Sequence, residues 1–440
     1  MSAIDMHTSP MGQLTEGRNS MTTAELQTGT ATAMEPEKKS PRIRNSLIAM
    51  AGVIGGQLAN FGVMFLIGKN FGPANLGRYS FLVAIALFIG SGIGLRYELA
   101  CVSRQSESAM SAFIHACALA ALLSVLLISI AAPIYGGVAL AVIAMAFSVF
   151  LQNALGFVLN TGERYLGMAL VRLMPNLVFL VFLIISCGIG FNERIEPHVF
   201  ELHALMAALI TVTSIPWFVA FKNIPRTGMG IRFFRENYGF AKYGFPAILL
   251  NSCIIYAMPI CIPVIYGKEI AGIFALGYRV GMFPVALFTQ SIGAVLRRDL
   301  LDNNYSKPAF KKVSEYLGIM SLVALLSIGA IYIGIDMLVR QALGGKWNEV
   351  IQFFTILAPS FVAAAVFGPI SQVFIVFRNQ RHEFLLQLAS AVAVLLIFAS
   401  AWQGNFQPKM TASLLSLSTT VFAVLGVLAA LRLARSGIAS

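Results

Sequence analysis

From about residue 45 onward the chain is built of apolar blocks of roughly 20 residues, separated by short polar stretches. A block of that length crosses a ~30 Å hydrocarbon core as a helix. The blocks fall at about 45–67, 79–101, 112–132, 137–160, 166–190, 199–221, 242–266, 270–295, 313–335, 351–376, 383–402 and 411–432, which predicts twelve membrane spans. They do not alternate in polarity: Val178–Ile185 is wholly apolar, and Leu119–Ile130 is broken only by Ser124 and Ser129. Strands of a membrane barrel are shorter and do alternate, so helices are predicted. Only Ala132–Gly136 separates the third and fourth spans, which predicts a tight helical hairpin. Pro259 and Pro263 predict a bend in the seventh span, the kind of discontinuity that transporters place at binding sites and hinges.

Residues 1–44 are polar and lack hydrophobic periodicity, which predicts a disordered cytoplasmic tail. No basic segment leads into an apolar one there, so no signal peptide is expected, and Met21 and Met34 are alternative starts. With the N-terminus inside, Lys and Arg in cytoplasmic loops and tails number twenty against seven outside. That bias fixes the orientation, and an even number of spans returns the C-terminus to the cytoplasm. The expected organisation is a tail (1–44), a six-helix lobe (45–221), a cytoplasmic linker (222–241), a second six-helix lobe (242–434) and a short tail (435–440). Basic and aromatic residues at helical spacing over Gly230–Lys242 predict an interfacial amphipathic helix in or beside that linker.

Composition agrees with a lipid-facing surface. Hydrophobic residues make up 58% and charged residues 11%, where soluble domains carry roughly 25% charged. Mean hydropathy is +0.78. The net charge of +12 carries no contribution from the tail, whose five acidic and five basic residues cancel. No clustered basic face with stacking aromatics is present, which excludes a nucleic-acid partner. The five cysteines lie in or beside apolar blocks, without metal-ligand spacing to histidine. No stretch reads G-x4-G-K-[ST], and no Ser-His-Asp or metal constellation is visible. The outer loops are short, which argues against a membrane polymerase. These features predict a transporter with no cofactor, not an enzyme.

Two stretches repeat. Phe71-Gly-Pro-Ala-Asn-Leu-Gly-Arg-Tyr between spans one and two matches Tyr266-Gly-Lys-Glu-Ile-Ala-Gly-Ile-Phe between spans seven and eight, 195 positions later. The shared pattern is aromatic-Gly-x4-Gly-x-aromatic. Both copies have the same orientation, so the repeat predicts two similar bundles about an axis along the membrane normal, able to rock and expose a central cavity to either side.

Ionisable residues inside spans are functional candidates, because leaving a charge in hydrocarbon costs at least ~2.5–3.5 kcal/mol. Arg279 falls near the midplane of span eight, beyond easy snorkelling, and either lines a polar cavity or pairs structurally. Arg172 lies about two turns into span five, ahead of Pro175. Arg96 and Glu98 lie near the cytoplasmic end of span two, where snorkelling competes with function. Two apart on a helix, they are expected on different faces. Glu98 either pairs with a basic residue of another span or carries a coupling proton. His115 and His203 are expected as packed or pore-lining neutral imidazoles. Gln57, Asn60, Gln152, Asn153, Asn251, Gln290 and Gln372 complete a candidate polar lining, of which Gln57 and Asn60 share a face. Such groups bind sugar hydroxyls, and they also join helices. Cavity arginines suit phosphate through charge-assisted, often bidentate bonds. A carrier of organic cations would bury carboxylates instead.

Phe71-Gly-Pro…Gly77-Arg-Tyr and Gly94-Leu-Arg-Tyr-Glu-Leu-Ala100 resemble the first hairpin of Wzx-type lipopolysaccharide and polysaccharide flippases, of the multidrug/oligosaccharidyl-lipid/polysaccharide (MOP) exporter superfamily. Phe245-Pro…Asn251-Ser, Pro259, Tyr266-Gly…Ala271-Gly-Ile-Phe-Ala-Leu…Arg279 and Gln290-Ser-Ile-Gly293 resemble the same family, and the likeness covers about 45–435. It implies an all-α, two-lobed, V-shaped transporter of twelve helices in a bacterial inner membrane. The implied activity is transfer of polyprenyl-diphosphate-linked oligosaccharide to the outer leaflet by alternating access, for O-antigen, capsule or exopolysaccharide synthesis. In this reading Arg279 and Arg172 hold the diphosphate, Arg96 stands near the cytoplasmic entry, and Gln57, Asn60, Asn251 and Gln290 complete the substrate site. A proton or sodium ion is a candidate coupling ion. A polysaccharide polymerase and a chain-length regulator are candidate partners, and a monomer supplies both lobes. A cation-coupled multidrug exporter of the same superfamily is the alternative, and a polymerase the more distant one.

Overall fold

Few backbone groups can go unpaired in lipid, so an apolar chain of this kind satisfies them within helices. The computed structural model describes residues 42–102, 106–162, 164–218, 230–301, 309–377 and 379–436. Residues 1–41 of the expected tail and part of the linker lie outside them, while residues 42–44 of that tail open the first helix. The helices are α1 (Arg42–Gly92), α2 (Ser106–Tyr135), α3 (Gly137–Thr161), α4 (Tyr165–Gly188), α5 (Asn192–Ile195), α6 (Val199–Phe218) and α7 (Ile231–Glu236). They continue as α8 (Phe245–Tyr266), α9 (Lys268–Leu301), α10 (Ala309–Leu338), α11 (Asn348–Ile370), α12 (Gln372–Val376), α13 (Gln380–Gly404) and α14 (Pro408–Ser436).

Eleven helical segments among the described residues are long and apolar enough to span a membrane. The first of them covers Ala51–Gly92 and is two arms joined at Gly72, whose φ of 81° and ψ of 176° break the helix. Counted as two, it brings the tally to the twelve that the hydropathy blocks predict. The hairpin between α2 and α3 turns on Gly136, at φ 59°. The α8 helix runs through both Pro259 and Pro263. Leu122, Leu126 and Ile130 on α2, and Leu322, Leu325 and Leu326 on α10, are exposed. Such an apolar exterior suits a lipid solvent.

Packing is dense within each half of the chain: α3 lies against α2, α4 and α6, and α11 against α9, α10 and α14. Glycines let the first arm of α1 approach α4. A Cβ on Gly52 would lie 2.3 Å from the Ala169 Cβ, and one on Gly56 would lie 3.3 Å from the Arg172 carbonyl oxygen.

The sequence repeat is a repeat of backbone geometry. Gly267, 195 positions after Gly72, has φ 85° and ψ 170° between α8 and α9. The second glycines of the two copies meet. A Cβ on Gly77 would lie 1.8 Å from the Lys268 carbonyl oxygen and 2.9 Å from the Gly272 nitrogen. Reciprocally, a Cβ on Gly272 would lie 1.9 Å from the Pro73 carbonyl oxygen and 2.9 Å from the Gly77 nitrogen. Equivalent positions of two copies touch each other reciprocally only around the axis that relates them.

Three details differ from the sequence reading. The second span ends at Gly92, not near residue 101. Leu95 and Arg96 take left-handed backbone (φ 47° and 66°), and Tyr97–Cys101 form a 3-10 turn. Gly94 is required there: a Cβ on it would lie 2.2 Å from the Phe150 ring and 2.8 Å from Glu98 Oε2. Because the chain has left the helix, Arg96 and Glu98 do face each other, contrary to the helical expectation, with Nη1 to Oε1 at 3.2 Å. The amphipathic segment forms only the short α7, followed by a π turn at Phe240–Gly244 that leads into α8. Phe233 and Phe234 of α7 pack on Tyr97 and His115.

Candidate functional site

A cavity of about 410 Å³ opens among α1, α3, α4, α6, α8 and α9. Its floor is built on α1, where Gln57 and Asn60 project on one face with Gly52 and Gly56. The glycines admit α4, which brings Arg172 and, one turn on, Asn176 to the wall. Gly156 of α3 lies beside the arginine head: a Cβ there would be in ordinary contact with Arg172 Nη2, at 3.6 Å. Gln152 and Asn153 line the same side from α3, and His203 lines it from α6. From the second half of the chain come Tyr256 on α8 and Arg279 on α9.

The sequence-chosen residues Gln57, Asn60, Gln152, Asn153, Arg172 and Arg279 are therefore brought together from α1, α3, α4 and α9. Among the described residues, neither arginine has a hydrogen-bond or ion-pair partner, and no Asp or Glu lines the cavity. Two half-buried cations without counter-charges make a site that attracts anions. Gln57, Asn60 and Arg279 also border a second, mostly apolar space of about 180 Å³, with Leu58, Met64, Phe283 and Ile331 on its walls. Leu58 is exposed, so this space lies toward the lipid-facing side of the seam between α1 and the α9–α10 pair. Polar and apolar compartments thus share one wall.

Other candidates lie elsewhere. Arg96 is off the cavity, bound to Glu98, and its Cβ packs near Gly244 at the start of α8. Glu98 is 4% exposed, and burial pushes its carboxyl above the usual carboxylate range despite the opposing pull of Arg96. Asn251 is on α8 but off the cavity wall; its neighbour Ser252 bonds Ser91 at 2.8 Å, closing α8 onto α1. Gln290 is in α9, and its side chain lies outside the described residues. His115 stacks on Phe233 and bonds the Ser111 carbonyl.

Two polar cavity residues have no place in the sequence reading: Asn176 and Tyr256. Asn176 follows Arg172 by one helical turn, so extending that face would have found it. Tyr256 sits in an apolar block, where an aromatic gives no sign of facing a cavity. His203 was expected as a packed or pore-lining neutral imidazole, and it lies on the wall.

No protein-family model matches the chain, and no curated protein matches it. Solved structures do. A MATE-family multidrug resistance transporter of the MOP superfamily, in an inward-facing conformation, aligns over 88% of this chain and 98% of its own, at a TM-score of 0.65 and 14% identity. The lipid II flippase MurJ, in an inward closed conformation, aligns over 88% of this chain and 87% of its own, at 0.62 and 13%. The MATE multidrug transporter DinF-BH aligns over 90% and 96%, at 0.61 and 14%. At these identities the likeness is one of fold. The chain has the all-helical, membrane-spanning fold of MOP-superfamily transporters and flippases.

Proposed function

We propose that this protein moves a polyprenyl-diphosphate-linked oligosaccharide between the leaflets of a bacterial inner membrane, by alternating access, for surface-polysaccharide synthesis. The observation that carries the reading is the pair Arg172 and Arg279 on one cavity wall, without acidic partners among the described residues. A diphosphate supplies the missing negative charge, and guanidinium groups bind such oxygens bidentately. Gln57, Asn60, Gln152, Asn153 and Asn176 offer amide donors and acceptors for sugar hydroxyls. The adjoining apolar space suits the first isoprene units of a tail that otherwise stays in lipid. In this reading Arg96 and Asn251 are not part of the headgroup site.

The second reading is a multidrug exporter, favoured by the fold shared with MATE transporters. Cationic drugs would meet two arginines and, among the described lining, no carboxylate, which is electrostatically adverse.

The test is to delete the gene and assay surface polysaccharide and cell-bound polyprenyl-diphosphate oligosaccharide together. Polymer loss with complete units held on the cytoplasmic side is expected. Normal polymer with altered drug sensitivity would replace this reading with the exporter. Single units already on the outer leaflet would point to a polymerase.

A further inference from the structure

His203 is 1% exposed and lies on the cavity wall. One ring nitrogen, Nδ1, is 2.8 Å from the Tyr79 hydroxyl. Its ring stacks on Phe179 with centroids 4.3 Å apart and an interplanar angle of 11°. The Tyr79 ring lies nearly parallel at 5.9 Å. The imidazole is thus held on one nitrogen by Tyr79 and on one face by Phe179. The other nitrogen, Nε2, is buried and has no partner among the described residues. A buried polar nitrogen left unpaired is rare in folded proteins.

The Tyr79 contact decides which nitrogen carries the proton. A phenol O–H is a stronger donor than a neutral imidazole N–H, and an imidazole lone pair is a stronger acceptor than a phenol oxygen. Tyr79 therefore donates to Nδ1, and the proton of the neutral ring resides on Nε2. The side chain then carries one fixed N–H donor on a cavity that two guanidinium groups also line.

We infer that His203 is a headgroup-binding residue: its Nε2–H donates to an anionic oxygen of the substrate's diphosphate, with Tyr79 as the positioning residue that fixes the tautomer. This rests on the diphosphate reading above. Two arginines satisfy charge. A third donor, held by the Phe179 stack and the Tyr79 hydrogen bond, adds one more fixed direction.

The probe is farnesyl diphosphate, titrated into the purified full chain in detergent. His203→Leu is expected to weaken binding about tenfold, the size expected for losing a hydrogen bond to a charged acceptor. His203→Gln, whose side-chain amide nitrogen reaches the place of Nε2, should recover most of that loss. Ring-nitrogen NMR of 15N-histidine-labelled wild type gives a reading that does not depend on any variant folding. It should show an unprotonated Nδ1 and a protonated Nε2 for His203, with Nε2 shifting on saturation. Tyr79→Phe should produce a tautomer mixture and weaker binding. Wild-type affinity in a folded His203→Leu, with Arg279→Gln weakened, would overturn the role of His203 alone. An Nδ1-protonated ring, or an Nε2 signal unmoved by saturating probe, would do the same. No binding by the wild type would overturn the diphosphate reading and this inference together.

Discussion

Arg172 and Arg279 stand out in the sequence because a charge inside an apolar block has few stable places to go. Both reach one cavity from different halves of the chain. Each guanidinium is expected to contribute separately to oxyanion binding. Arg172→Gln and Arg279→Gln should each weaken farnesyl diphosphate about tenfold or more by titration, and the lysine replacements should fall between, keeping charge but losing the fork. Arg96 lies off that cavity, because the helix stops at Gly92 and the chain turns there. Here the expected phenotype is one of stability. Glu98 is buried and Arg96 is its partner, so Arg96→Met strands a carboxylate and should lower the melting temperature in detergent more than Glu98→Gln does. Burial raises the folded pKa of Glu98 above its unfolded value. Stability tied to this group is then fully present below the unfolded pKa and is lost as pH rises through the folded one. The deficit of Arg96→Met should therefore shrink on acidification and vanish in the Arg96→Met, Glu98→Gln double variant.

At the level of elements, length and hydropathy were enough to place the spans, because each must cross the same hydrocarbon thickness. The repeat was also legible, since Gly72 and Gly267 hold a positive φ that other residues rarely adopt. What the two second glycines do was not legible. Spacing gives no sign that Gly77 and Gly272 touch across the axis. The facing of Asn251 was equally hidden, because in a uniformly apolar helix one polar residue does not say which side meets a cavity. The glycine contact carries a prediction. A Cβ on Gly272 would lie 1.9 Å from a carbonyl oxygen, where ordinary contact begins at 3.4 Å. The α9 helix and the second arm of α1 would have to separate by roughly 1.5 Å or more. Gly272→Val is expected to disfavour this closed arrangement. Spin labels at the exposed Asn70 and Glu269 should report longer distances by double electron–electron resonance, and export should fall at normal protein level. Gly318→Val, on α10 with nothing within 4 Å of its Cβ, should change neither.

On the scale of the whole molecule, fold and chemistry separate the two readings differently. The fold is shared by multidrug transporters and by a lipid II flippase, so shape alone does not select a cargo. Charge does. The cavity joins two unpaired arginines to amides and to an adjoining apolar space, and it lacks a carboxylate among its described lining. An organic cation entering it would lose hydration and gain only repulsion. An anionic amphiphile would exchange hydration for charge-assisted bonds and keep its tail in hydrocarbon. Purified protein is therefore expected to bind farnesyl diphosphate but not a cationic rhodamine dye, measured side by side by fluorescence competition in detergent. Raising ionic strength should weaken the diphosphate modestly, because pairing with half-buried charges is screened less than pairing at a surface. In liposomes containing the protein, a fluorescent prenyl diphosphate should redistribute between leaflets without ATP, and Arg279→Gln should abolish that movement. Tight binding of the rhodamine dye that survives Arg279→Gln would instead assign the cavity to cations and return the molecule to the exporter reading.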